Sequence, residues 1–359
     1  MQHEVVRKQR LLNENGIVAE PGWARHPVWV YDRRDIKASP LRIKEWDYYL
    51  VMNERSAAAF TISDLGYAGL VSVSLIDLRG DSPIFAGQRK DQPIKPMEKT
   101  QTVLTPFPLG RMGLRAVSSS GSVVYGNSRV RIKYDAEPGR RRVRCIFKNF
   151  MDGKDLRADI RMLCPDMESM CIATPWRQDP KAFYYNQKIN CMPAGGTVTA
   201  GGNSIHFHPK KDMAMLDWGR GVWTYDNVWY WGTCSTTIDG VPFGFNLGYG
   251  FSDRRPASEN LLYYGHKVHK LENIAFQIMT DDEGHRDFMK PWTITSSDGR
   301  FEAVFMPILD RKADIDLKLI DSDQHQVFGL MTGTAILDDG TQIKMRDETA
   351  AIEVVHNRY

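Results

Sequence analysis

Along Arg129-Val130-Arg131-Ile132-Lys133-Tyr134, apolar residues take every second place and cations the places between. The same alternation runs through Arg157-Ala158-Asp159-Ile160-Arg161-Met162 and Asp314-Ile315-Asp316-Leu317-Lys318-Leu319. Successive side chains of an extended chain point to opposite sides, so each segment reads as a strand with one face on a core and one in water. Asp-Gly pairs at 152–153, 239–240, 298–299 and 339–340, and Gly201-Gly202-Asn203, separate such segments. These residues accept the positive φ that tight hairpins require. Helical patterning is confined to Val5–Leu12 and Ala257–Leu262. The chain is therefore predicted to be all-β, an antiparallel meander that closes into barrels or half-barrels, because closure removes exposed strand edges.

A chain of 359 residues is long enough for about two such domains. Two stretches break the alternation. Residues 80–100 are polar and proline-bearing and read as a loop or flap; residues 173–191, with Pro175, Trp176 and Pro180, read as an irregular connection. The boundary is placed at the second, giving domains 1–180 and 181–359.

Lysine and arginine total 47 against 44 acidic residues, so nothing in the net charge favours nucleic acid as a partner. The densest basic run, Arg140-Arg141-Arg142 with Arg144, follows the turn Glu137-Pro138-Gly139 and reads as a solvated turn, since no aromatics are spaced to stack bases. No run of about 18 apolar residues suggests a membrane span. Met1–Asn15 has no apolar centre, and the five cysteines form no CxxC pair, so reduced thiols and a cytoplasmic location are expected. His206 and His208 lack a third ligand in metal spacing, and no phosphate-loop or GxSxG motif occurs. No metal and no cofactor are expected. The expected partner is a small molecule; the oligomeric state is left open.

The densest chemistry lies in Leu216–Gly232, where Trp218, Trp223, Trp229 and Trp231 interleave with Asp217, Arg220, Tyr225 and Tyr230. Trp229 and Trp231 share a strand face and Tyr230 takes the other. Gly219 and Gly221 are read as a place where the backbone turns or approaches a ligand, letting Asp217 and Arg220 point into one aromatic-walled concavity. In Lys44-Glu45-Trp46-Asp47-Tyr48-Tyr49, a strand would put Lys44, Trp46 and Tyr48 on one face and Glu45, Asp47 and Tyr49 on the other. Two carboxyls on one face raise each other's pKa, as acid–base chemistry can use. Asp217, Arg220, Tyr225, Glu45 and Asp47 are thus the candidate catalytic residues. Trp46, Tyr48, Trp218, Trp223, Trp229, Trp231 and Asn246 are the candidate substrate contacts, with Glu259 and Asn260 close behind in sequence.

The chain resembles the bacterial family called domain of unknown function 2804. The resemblance rests on Gly22-Trp23-Ala24-Arg25, Lys44–Tyr49, Asp217-Trp218-Gly219-Arg220-Gly221, Gly244-Phe245-Asn246-Leu247-Gly248-Tyr249-Gly250, Pro291-Trp292 and Asp298-Gly299-Arg300-Phe301-Glu302. More loosely, Gly196-Thr197-Val198-Thr199, Gly201-Gly202 and Asp217-Trp218-Gly219 look like the hydroxyneurosporene synthase (carotenoid hydratase) group, where histidine often stands in the place of Trp218. That likeness implies tandem lipocalin-like, calycin-type domains and cofactor-free hydratase or cyclase chemistry. Two functions follow as expectations. One is a cofactor-independent acid–base enzyme (lyase, hydratase, isomerase or glycoside-cleaving) acting on a carbohydrate or hydrophobic small molecule. The other is a non-catalytic carrier of a lipid or similar ligand. Inward-pointing Asp217, Arg220, Glu45 and Asp47 would favour the first.

Overall fold

The structure is a computed structural model and describes residues 2–89, 93–106, 112–317 and 320–358. Two curled antiparallel sheets form two half-barrels. The first runs in the order Met97–Pro106, Ala68–Asp77, Ser56–Asp64, Ile43–Met52, Met213–Val222, Phe183–Ala200, Lys154–Cys164, Gly139–Met151, Val130–Glu137, Gly121–Gly126. Gly22–Ala24, Met170–Pro175 and Asn203–Phe207 extend its flanks. The second runs Lys267–Lys270, Leu261–Tyr264, Val241–Tyr249, Asp226–Ile238, Gln342–Arg358, Ile320–Ile336, Phe301–Leu317, Trp292–Ser296, Ile274–Gln277.

The alternating segments are strands as expected. Val130, Ile132 and Tyr134 are buried while Arg131 faces out. In the 314–319 segment, Lys318 and Leu319 lie outside the described residues, and the backbone is strand up to Leu317. Asp152-Gly153 and Asp239-Gly240 close two-residue hairpins in which both residues have positive φ (53° and 71°; 50° and 79°). Three expectations change. Val5–Leu12 and Ala257–Leu262 hold no helix; Gln9–Arg10 and the start of Leu261–Tyr264 are strand. The chain passes from the first sheet to the second between Val222 and Asp226. The 173–191 stretch is mostly a hairpin, its register running from Met170↔Lys188 to Pro175↔Phe183. Residues 80–89 are anchored rather than loose: Phe85 is buried and Arg89 pairs with buried Asp77 at 2.6 Å. Residues 90–92 of that stretch lie outside the described residues.

Each half-barrel has its own apolar core. Tyr134, Phe147, Phe150 and Ile160 fill the first, and Phe245, Trp292, Phe305 and Val327 the second. Between the sheets lies a third layer holding Leu50, Met215, Trp231, Leu309 and Phe328. That layer is where the site sits.

Candidate functional site

Registers across the middle of the first sheet set three side chains in a row. Tyr48 pairs with Asp217, and Asp217 with Lys188. Two residues along, Trp46, Gly219 and Asn186 make the next row. Both rows face the second sheet, where Gly248, Trp231, Glu353, Gln326 and Arg311 align in one cross-strand row of their own. The rows meet as a polar seam inside an aromatic layer.

Lys188 is the hub of the seam. It is 2% exposed; its Nζ donates to Asp217 Oδ2 at 2.8 Å, lies 3.8 Å from Glu259 Oε2 and sits 4.5 Å above the Trp231 ring. Asn186 Nδ2 donates to the other oxygen of Asp217 at 2.7 Å. Buried charge is costly unless paired and hydrogen-bonded, and Asp217 meets both conditions. Glu259 is held by Asn246, whose Nδ2 donates to Oε2 at 3.2 Å while its Oδ1 accepts from Trp231 Nε1 at 2.8 Å. A Cβ on Gly248 would come within 2.5 Å of Glu259 Oε1, so glycine there makes room for the carboxyl. Burial raises the Glu259 carboxyl above its ordinary range, with Lys188 pulling the other way. Burial likewise raises Glu353, which accepts from Gln324 at 2.9 Å and Gln326 at 3.4 Å; Gln326 also donates to the Tyr48 hydroxyl at 3.4 Å. The buried oxygens Asn186 Oδ1 and Gln326 Oε1 accept no hydrogen bond. They are the acceptors left over for a ligand or water.

Next to the seam, Trp223 packs edge-to-face on Trp46, Trp229 and Phe251, with centroids 5.4, 5.7 and 4.8 Å away, and Trp46 stacks on Tyr184. Trp46 lies flat on the strand at Gly219, where a Cβ would come within 2.0 Å of its ring. The glycines of Asp217–Gly221 therefore serve ring packing inside a strand rather than a turn.

That geometry divides the expected residues. Asp217, Trp46, Tyr48, Trp223, Trp229, Trp231, Asn246 and Glu259 come together between the sheets. Arg220, Trp218, Glu45 and Asp47 lie on the opposite face, inside the first half-barrel. There Arg220, fully buried, donates to Asp47 at 2.8 Å and stacks on Trp218 at 4.1 Å, and Arg115 reaches Asp47 at 3.0 Å. Glu45 is held by Tyr31 at 2.6 Å and by Arg33. So Asp217 and Arg220 share no concavity, and Glu45 and Asp47 are each matched to cations rather than to one another. Tyr225 sits 55% exposed on the link between the sheets. Of the basic run, Arg142 and Arg144 pair with Asp159 and Asp135 on the surface, but Arg141 is buried and donates to the Ser118 carbonyl at 2.6 Å. His206 and His208 are exposed. Lys188, Asn186, Gln326 and Glu353 went unnoticed in the sequence. Their partners lie in distant strands, and only register shows them; the alternation of Asn186, Lys188 and Asn190 was the one local sign.

Among the described residues no group of three or more His, Cys, Asp or Glu is placed to hold a metal ion, and no helix is long and apolar enough to cross a membrane. The family model described as "Domain of unknown function (DUF2804)" matches residues 2–359. No curated protein sequence matches the chain. Solved structures share its fold. A protein assigned as AttH from Nitrosomonas europaea has a TM-score of 0.50 at 12% identity, covering 92% of this chain and 98% of that one. Kievitone hydratase from Nectria haematococca has a TM-score of 0.51 at 10% identity, covering 100% and 98%.

Proposed function

This chain belongs to the domain of unknown function 2804 family, and from its inter-sheet seam we propose that it is a cofactor-independent acid–base enzyme acting on a small organic molecule. The observation that carries the reading is Lys188, one ammonium between two carboxyls, 2.8 Å from Asp217 and 3.8 Å from Glu259. Environments that push neighbouring carboxyls apart are how one site runs acid and base together. Glu259, whose carboxyl burial raises above its ordinary range, is the proton donor in this reading. Asp217, fixed by Lys188 and Asn186, accepts one from water or from substrate carbon. In a hydration, Glu259 protonates one end of the double bond, Asp217 takes a proton from the attacking water, and the water oxygen bonds the other end. Elimination and isomerisation use the same two transfers in other orders. The ring faces of Trp46 and Trp229 favour any positive charge that develops. The kinship of fold with a hydratase is consistent with this chemistry and adds no substrate to it.

Native mass spectrometry of the protein purified from cells identifies the molecule it carries, and that compound class is then screened for hydration, elimination, isomerisation, cyclisation and glycoside cleavage. The expected result is turnover that Asp217→Asn and Glu259→Gln each abolish while the ligand still binds. A tightly held ligand that wild type never turns over would instead make the protein a carrier.

A further inference from the structure

A cavity of about 600 Å³ opens beside the seam, where the loop after Met170–Pro175 meets the loop after Val241–Tyr249. The two loops are tied together: Asp253 N donates to the Pro175 carbonyl at 2.8 Å, and the Thr174 and Ser252 hydroxyls are 2.7 Å apart. That volume is ordinary for a metabolite site. Its charges look balanced, with Arg177, Arg254 and Arg255 against Asp226, Asp253 and Glu272. Pairing removes most of them. Asp253 is bridged to Arg255 at 2.5 Å, and Asp226 to His356 and Arg358 at 2.9 and 3.1 Å. Glu272 accepts a long 3.4 Å bond from Gln2, and Lys270 is its cationic neighbour. Arg254 and Arg177 make no salt bridge among the described residues. Arg254 is half-buried, with its guanidinium 5.6 Å over the Tyr249 ring, and burial pulls its pKa below the ordinary value. Glu259 is the carboxylate that acts on it electrostatically, without forming a salt bridge, and a partly desolvated arginine with no bridged carboxylate is a site for one. Asn273, Gln178 and Ser252 supply side-chain donors and acceptors around it, and Trp176 an aromatic wall.

We propose that this cavity binds a small hydroxylated organic acid, of sugar-acid size and polarity, whose carboxylate is received by Arg254 with Arg177 at the mouth. The amide and hydroxyl groups take its hydroxyls, and Trp176 takes an apolar ring face. Ser258 lines the cavity and the next residue is Glu259, so the proposal places the ligand's anchor one residue along the chain from the seam. That last link rests on the reading of the seam as a reaction site; binding itself does not.

The test is titration calorimetry with D-glucuronate, with D-glucose as its neutral counterpart and hexanoate as an acid without hydroxyls. Glucuronate should bind at least about 10-fold more tightly than either, the size of one charge-assisted contact. Arg254→Gln should erase the preference over glucose, and Arg254→Lys should retain part of it with the melting temperature unchanged. Glu259→Gln removes a negative charge that acts on Arg254 and should keep or strengthen the preference for glucuronate. If that preference holds while wild type turns over no compound in the class screen, the seam reading fails and this one stands. No saturable binding of glucuronate, a preference that survives Arg254→Gln or falls in Glu259→Gln, or equal binding of hexanoate overturns it.

Discussion

Asp217 and Arg220 stand three residues apart on one strand and face opposite sides of the first sheet. Asp217 meets Lys188 at 2.8 Å between the sheets; Arg220 meets Asp47 at 2.8 Å inside the half-barrel. An odd spacing on a strand separates two side chains, so their substitutions should separate too. Arg220→Ala leaves Asp47 buried with only Arg115, and should cost about 3–5 kcal/mol in urea unfolding. Asp217→Asn keeps the acceptor that Asn186 uses but leaves buried Lys188 without its ion-pair partner, and should also cost about 3–5 kcal/mol. The double variant should cost the sum of the two, and a large departure from additivity would mean the faces are not separate.

Gly219→Ala is expected to be far worse than its one methyl suggests. The added Cβ would press to within 2.0 Å of the Trp46 ring, which is backed by Tyr184 and Trp223. Overpacking of this kind costs about 1–3 kcal/mol, and near-ultraviolet circular dichroism should report the displaced indole.

Glu259 ties stability to pH. Its folded pKa is raised from the ordinary 4.5 by burial, so the folded state holds the proton longer than the unfolded chain does. The stabilisation is complete below pH 4.5 and lost as pH rises through the folded value. Glu259→Gln cannot ionise. Its melting temperature should gain on wild type as pH is raised from 4.5, and parallel curves would contradict the burial effect.

Two lysines act in the other direction. Burial brings Lys44 and Lys270 down from 10.5 to about 7. Between about pH 7 and 10.5 the unfolded chain binds more protons than the folded one at these positions, so their contribution to stability grows with pH. Lys270→Met should flatten that rise across the window, measured by urea unfolding at several pH values.

All five cysteines are free thiols. Cys145, Cys171 and Cys191 are buried with pKa values pushed up to about 12, and Cys234 is pushed up as well; Cys164 alone is half-buried. A disulfide reagent at pH 8 should therefore label only Cys164 quickly in native protein and all five after unfolding.

Much of the fold was legible because strand alternation and Asp-Gly turns are local signals. Val130, Ile132 and Tyr134 announce their inward face within six residues. The site was legible only in part. Asp217, Trp229, Trp231 and Asn246 stood out by composition, whereas Lys188 and Glu353 are ordinary residues on ordinary strands until register sets them opposite Asp217 and Trp231. The misplacement of Arg220 has a plain cause. In the sequence Gly219 and Gly221 suggest a bend, and a bend would excuse an odd spacing; in the structure the first glycine makes space for Trp46 in an unbroken strand.

The order in which the first sheet is assembled differs from the order in which it is made. Ile43–Met52 pairs on one side with its neighbour in sequence, Ser56–Asp64, but on the other with Met213–Val222. During synthesis on a ribosome, its second edge stays open until that late strand emerges. An unpaired strand edge is a template for wrong partners. Any fragment that stops short of Val222, however complete its early hairpins, therefore presents that edge to whatever nascent chains or chaperones surround it.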